Sequence, residues 1–262
     1  MATMTEISVA NADYRVRVWS AGAGRPLLYL HGFEGHPGDA PFLERMAAGH
    51  HVFAPEHPGF GDSTGIEHID DVLDMVLFYR QLMETLELQE ADVVGHSLGG
   101  MFAAELGAIC PQHVRRLVLV APFGLWLEDA QIPDLFVMSP SQLQRATWHD
   151  PESHAAQQNL SQASNGHPGV AAIVKRAGNL STAGKFLWPI PDRGLIKRLP
   201  LIKAPTLVVT GGSDRLIGRA YGEAFAARIP DAKLVIIENA GHVPMVEQPD
   251  AFFAAVEPFL AD

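Results

Sequence analysis

Two serines of this chain stand in the pattern G-x-S-x-G: Ser63 between Gly61 and Gly65, and Ser97 between Gly95 and Gly99. The pattern can carry nucleophilic chemistry when a sharp, strained turn between a strand and a helix projects the hydroxyl beyond a sheet. Ser97 has that context. Ala-Asp-Val-Val precedes it, glycine stands at both flanking positions, and an amphipathic helical pattern begins at Leu98. Side chains at Gly95 and Gly99 would block the close approach of helix to strand. Ser63 follows the loop Glu56-His57-Pro58-Gly59-Phe60 and precedes Gly65-Ile66. With neither a strand nor a helix pattern beside it, its match is read as a coincidence.

A serine hydroxyl is a weak nucleophile until a base takes its proton, and the base needs an acid to orient it. Both are expected on loops that follow strands at the edge where Ser97 emerges. His242, in Asn239-Ala240-Gly241-His242-Val243-Pro244, comes directly after the strand pattern Lys233–Ile237. Asp214, in Thr210-Gly211-Gly212-Ser213-Asp214, comes directly after Pro-Thr-Leu-Val-Val-Thr. The order serine, aspartate, histidine is the one that G-x-S-x-G enzymes of this architecture use. Glu128 and Asp129, after the strand pattern Val114–Val120, are the alternative acids. A developing oxyanion needs preorganised backbone donors. The amide of Leu98, at the start of a helix, is one. The amide of Phe33, in the glycine-flanked loop His31-Gly32-Phe33-Glu34-Gly35, is the other. The positive end of the Leu98 helix dipole favours negative charge at the same place.

Elements able to hold these loops recur along the chain. Tyr14–Trp19 alternates as a strand does, and Pro26–His31, His51–Ala54, Ala91–Val94 and Val114–Val120 are short apolar runs. Helical periodicity is expected over Phe42–Ala48, Asp70–Leu86 and Leu98–Ile109. This alternation calls for a parallel sheet covered on both faces. From Pro122 to about Pro200 the rhythm breaks into an aromatic-rich stretch with polar runs such as His154–Asn165. It resumes at Pro205–Thr210, with a helix near Tyr221–Arg228, the strand Lys233–Ile237 and a final helix Asp250–Leu260. The expected organisation is a core of residues 1–121 and 201–262 with a helical cap, 122–200, inserted over the carboxyl edge of the sheet, where ligand sites of such folds lie.

The 262 residues suit one folded unit with such an insertion. A net charge of −11 argues against nucleic acid as a partner, because phosphate neutralisation requires clustered Lys and Arg. The longest apolar run, Leu117–Leu127, is too short to span a membrane. An amino terminus without basic residues and a single cysteine, Cys110, point to the cytoplasm. Cys110 is expected to be a buried packing residue. The twelve histidines lack the helical i, i+4 pairing and accompanying carboxylates of zinc enzymes, so no metal is expected. His96 is expected to support the site, not to act as its base. Neither G-x-G-x-x-G nor G-x-x-x-x-G-K-[ST] is present, so no nucleotide cofactor is expected.

His-Gly-Phe at residue 31, PGFGDS at 58–63, GHSLGG at 95–100, the GGSD loop and GHVPMVEQP at 241–249 resemble signatures of the α/β-hydrolase fold family, in its serine-nucleophile branch with cap domains. The resemblance covers nearly the whole chain except the cap. It implies an eight-stranded, mostly parallel sheet and gives Ser97, Asp214, His242, Phe33 and Leu98 the roles above. Glu56 stands where the family commonly has Asp, and Glu34 where many relatives have Pro. Glu34 is either a solvated loop charge or a carboxylate beside the site, which would disfavour anionic substrates.

The expected activity is cofactor-free hydrolysis of a carboxylic ester with an apolar moiety. Such pockets are mostly apolar, which makes Trp126, Trp148 and Trp188 of the cap candidate substrate contacts, together with Val243. The alternative is a C–C bond hydrolase acting on vinylogous diketones from aromatic catabolism. Relatives of that kind often have Asn, Met and Trp where this chain has His96, Leu98 and Val243, and those three residues favour an ester. A low-turnover ligand receptor on the same fold is a third reading.

Overall fold

A strand covered on both faces must be apolar at successive positions, and Leu27, Leu28, Tyr29 and Leu30 meet that requirement. They lie in β3, Pro26–Leu30, near the middle of an eight-stranded sheet. The computed structural model describes residues 2–157 and 170–261; the polar run expected over His154–Asn165 lies outside them from residue 158. The other strands are β1 (Thr3–Val9), β2 (Tyr14–Ala21), β4 (His51–Pro55), β5 (Ala91–His96), β6 (Val114–Val120), β7 (Thr206–Gly211) and β8 (Lys233–Ile237). Their order is β1-β2-β4-β3-β5-β6-β7-β8. β2 pairs antiparallel with both β1 and β4, and every pairing from β4 to β8 is parallel. The sheet is therefore the mostly parallel one that the resemblance implies, with β2 alone running against the rest.

Alternate strand residues build two cores. Leu28, Leu30, Val93, Leu119 and Val208 face one side, against α2 (Val72–Thr85), α3 (Leu98–Ile109) and α7 (Arg219–Ala226). Leu27, Tyr29, Val94, Val118 and Val209 face the other, against α1 (Pro41–Ala47), the short α8 (Pro244–Glu247) and α9 (Pro249–Ala261). α2 starts two residues later than its periodicity suggests because the Asp71 side chain accepts from Leu73 N–H at 2.7 Å and Asp74 N–H at 3.2 Å, capping the helix. Cys110 is buried.

Between β6 and β7 the described chain forms α4 (Pro140–Thr147), α5 (Val170–Leu187) and α6 (Leu195–Arg198). α4 opens with a capping box: Ser139 Oγ accepts from Gln142 N–H while the Gln142 side chain accepts from Ser139 N–H. The edge strand β1 was not expected from periodicity. Its Thr3–Glu6 are exposed, so no apolar alternation marks it. Among the described residues no helix is long and apolar enough to cross a membrane.

Candidate active site

β3, β5, β7 and β8 all end at one edge of the sheet, and the loops that follow them converge there. The connection leaving β3 runs to β4 on one side and the connection leaving β5 runs to β6 on the other, which opens a crevice between the carboxyl ends of β3 and β5. Ser97 follows β5 directly and occupies the cap position of α3. Its backbone is at φ 57°, ψ −116°, a conformation that costs a non-glycine residue energy. Two backbone bonds hold the turn: Ser97 N–H donates to Val120 O at 2.9 Å, and Phe123 N–H donates to Ser97 O at 3.1 Å. The hydroxyl does not cap the helix, which leaves it for other partners.

The close approach depends on the flanking glycines. A Cβ on Gly95 would lie 2.4 Å from Gly99 O, and one on Gly99 would lie 2.2 Å from Leu30 O. Across the crevice Gly32 packs on the serine itself, where a Cβ would stand 3.0 Å from Ser97 Cβ. The loop carrying Phe33 is thereby brought against Ser97. Among the described residues neither Phe33 N–H nor Leu98 N–H donates to a protein acceptor.

His242 Nε2 is 2.8 Å from Ser97 Oγ, and His242 Nδ1 is 2.8 Å from Asp214 Oδ2. A carboxylate oxygen accepts, so Nδ1 carries the proton and Nε2 is left to accept from the serine hydroxyl. Asp214 is fixed from its other side, where Oδ1 accepts from Leu216 N–H and Ile217 N–H, both at 2.9 Å. All three side chains are buried. Glu128 and Asp129 lie instead in a short 3-10 turn, Glu128–Ala130.

The end of α4 straps this arrangement. His242 N–H donates to Thr147 O, Arg215 N–H donates to Ala146 O at 3.0 Å, and Arg215 Nη1 donates to Trp148 O at 3.1 Å. Glu247 joins the two sides by accepting from Gly241 N–H and His149 N–H, each at 2.7 Å. Burial raises the Glu247 pKa above the usual carboxylate range. These supports escaped the sequence reading because they are made by backbone groups or by residues without a motif.

Trp148 is buried and contributes to the strap through its carbonyl. Trp126 and Val243 are partly buried. Trp188 is 57% exposed and borders a shallow depression of about 480 Å³ with Phe136, Val137 and Leu180, which Ser97, Asp214 and His242 do not line. Trp126 and Trp148 do not line that depression.

Glu34 meets solvent, yet enough protein surrounds its carboxyl for desolvation to raise its pKa, against the lowering influence of His242 and Arg176. Its charge is thus within electrostatic reach of His242. Glu56 has a structural part, because Oε2 accepts from Asp62 N–H at 3.2 Å and so closes the 58–63 turn. Ser63 Oγ accepts from Arg17 N–H at 3.0 Å, tying that turn to β2.

Four histidines form a neutral foundation under these loops. His96 Nε2 donates to His242 O at 2.8 Å, and burial, helped by the neighbouring His242, pushes its pKa down to about 3. His31 Nδ1 donates to Gly32 O at 2.8 Å while Nε2 accepts from His57 N–H at 3.1 Å. His57 Nε2 donates to His31 O at 2.8 Å, and Nδ1 pairs with the Tyr79 hydroxyl. His36 Nδ1 accepts from Gly38 N–H and its Nε2 donates to Ala54 O, both at 3.0 Å. Burial lowers all three, His31 well below the ordinary value, His57 to about 3 and His36 to about 4. Among the described residues no three His, Cys, Asp or Glu side chains come together as a metal site would require.

The profile of the alpha/beta hydrolase family matches residues 27–256. A 2-hydroxy-6-oxo-6-phenylhexa-2,4-dienoate hydrolase of Burkholderia cepacia is 27% identical over 99% of this chain and 95% of its own length. A pimeloyl-(acyl-carrier protein) methyl ester esterase of Xanthomonas oryzae pv. oryzae is 29% identical over 92% of this chain and 96% of its own. The crystal structure of a membrane phospholipase A superposes with a TM-score of 0.82 at 25% identity, over 99% of this chain and 86% of that one.

Proposed function

The chain belongs to the alpha/beta hydrolase family, and on that basis we propose that it is a serine hydrolase that cleaves carboxylic esters without a cofactor. The observation that carries this reading is the continuous chain from Ser97 Oγ through His242 to Asp214, with both contacts at 2.8 Å. Ser97 attacks the acyl carbon as His242 Nε2 takes its proton. The oxyanion is held by the amides of Leu98 and Phe33, preorganised where charge develops. His242 then returns the proton to the leaving alcohol, and Asp214 stabilises the imidazolium between the two transfers. Water, activated by the same imidazole, releases the acid.

Residues 1–121 and 201–262 form the catalytic core in this reading, and 122–200 form a cap that shapes the substrate pocket. The strap from α4 and the contacts of α5 with the core loops support that division. Glu34, within electrostatic reach of His242, supports a substrate that is uncharged near the scissile bond.

The second reading is C–C bond cleavage of a vinylogous diketone, favoured by the similarity to the Burkholderia dienoate hydrolase. A chain-length series of p-nitrophenyl esters, assayed beside a dienone substrate with Ser97→Ala as control, separates the two. Rapid ester turnover that Ser97→Ala abolishes is the expected result. Weak ester turnover beside efficient C–C cleavage selects the alternative. Stoichiometric labelling of Ser97 by a fluorophosphonate without turnover of either substrate would favour a receptor.

A further inference from the structure

Helix α5 meets the core along one face. Asn179, Thr182 and Lys185 are spaced by three residues, so they share a side of the helix. Each donates to a backbone carbonyl of a loop at the carboxyl edge of the sheet. Asn179 Nδ2 reaches Glu34 O at 2.6 Å, Thr182 Oγ1 reaches Gly59 O at 3.0 Å and Lys185 Nζ reaches Ile66 O at 3.1 Å. The last two hold the segment around Ser63. The first holds the turn that carries Phe33.

That turn is four residues long, closed by Gly35 N–H donating to Gly32 O at 3.1 Å, with Phe33 and Glu34 at its centre. Gly35 adopts φ 105°, and a Cβ there would lie 2.9 Å from Asn179 Nδ2. Glycine thus permits the turn and also makes room for the amide that grips it. Asn179 is buried, 6% exposed, with its donor on the turn. At the other end of the turn Gly32 packs on Ser97. The turn is consequently held between the serine and the helix.

We propose that Asn179 is a positioning residue: by holding the Glu34 carbonyl it fixes the 32–35 turn, and with it the Phe33 amide, against Ser97. Donor geometry then depends on α5 being docked, so the cap completes the oxyanion site as well as covering it. The inference rests on the reading of Ser97 as nucleophile and the Phe33 amide as oxyanion donor. Removing an oxyanion donor outright typically costs about 10²–10³ in kcat. A donor that is loosened but not removed should cost about 10-fold or somewhat more, with KM nearly unchanged, because the ground-state ester does not use it fully.

The test compares Asn179→Ala and the isosteric Asn179→Asp, which lacks the donor, with Thr182→Val. The last removes a similar bond from the same helix face but leaves the 32–35 turn alone. Each is measured for kcat and KM on a p-nitrophenyl ester, for Tm, and for affinity towards an alkylboronic acid, whose serine adduct places an oxygen in the oxyanion site. Both Asn179 variants should lose about 10-fold or more in kcat and a similar factor in boronate affinity, with KM within about 3-fold. Thr182→Val should lose Tm without that loss of kcat. Equal losses of kcat in Thr182→Val and Asn179→Ala would reduce the contact to helix docking and overturn the proposal, as would undiminished kcat in both Asn179 variants. Turnover that survives Ser97→Ala would overturn the underlying hydrolase reading, and is seen separately from either result.

Discussion

A carboxamide in place of the Asp214 carboxylate would invert the histidine it touches. Leu216 N–H and Ile217 N–H both need an acceptor, so the new side chain would keep its oxygen on them and turn its NH₂ towards His242 Nδ1. The imidazole would then carry its proton on Nε2, facing the serine that the proposed mechanism has it deprotonate. Asp214→Asn should therefore lower kcat by about 10⁴ with Tm nearly unchanged; kinetics paired with thermal melting check both halves. Glu34→Gln should raise kcat/KM for an anionic ester relative to a neutral one by about tenfold, since it removes a repulsion and leaves the backbone in place; a competition assay between the two esters reads this. At this scale the sequence was legible where chemistry constrains residue type and neighbours together. Ser97 announces itself through its glycines, and His242 and Asp214 through their places after apolar runs. Asn179 and Thr147 could not be found that way. One acts across the fold from a helix without a motif, and the other offers only its carbonyl, which any residue has.

The closeness of α3 to the sheet is a property of elements, and it can be tested by adding one carbon. A Cβ at Gly99 would stand 2.2 Å from Leu30 O and 2.5 Å from His31 O, both backbone atoms unable to swing aside. Gly99→Ala should destabilise the protein by about 3 kcal/mol, the upper end of overpacking penalties, as read by urea denaturation. It should also move Leu98 away from the β3 loop and depress activity beyond the loss of folded protein. Buried elements were legible because burial on both faces demands unbroken apolar runs. β6 has the bounds that its sequence suggests, and so does the edge strand β8, whose apolar run Leu234–Ile237 marks it although it is only partly buried. The other edge strand was not legible. β1 pairs with β2 through its backbone along its whole length, while its side chains look mostly to solvent, so nothing in residue type records the pairing.

For the molecule as a whole, the neutral histidines set a limit on acid tolerance. The folded-state pKa of His36 lies near 4, below its ordinary 6.5. Between those values the unfolded chain binds a proton that the folded chain refuses. Stability is therefore full above about pH 6.5 and is lost as pH falls, by up to about 1.4 kcal/mol per pH unit for each such group. Protonating His36 would set an N–H against the N–H of Gly38. His36→Gln should flatten the dependence of unfolding free energy on pH by close to one proton between pH 6.5 and 4.5, measured by urea titration; an unchanged slope would show that His36 takes its proton without penalty. The histidines were visible in the composition, but their shared function was not, because neutrality follows from burial and partners that only the fold assembles. The stretch between β6 and β7 was recognisable as an insertion and was expected to be a helical cap, but the contacts it makes with the core were not legible. It leaves the carboxyl end of β6 after Val120 and re-enters at the amino end of the adjacent parallel strand β7, where Thr206 lies beside Leu117. Natural recombination or a protein engineer could therefore exchange the whole segment at two seams without re-threading the sheet. Any replacement would inherit two obligations from the lost one: an acceptor for the amide of His242 and a donor for the carbonyl of Glu34.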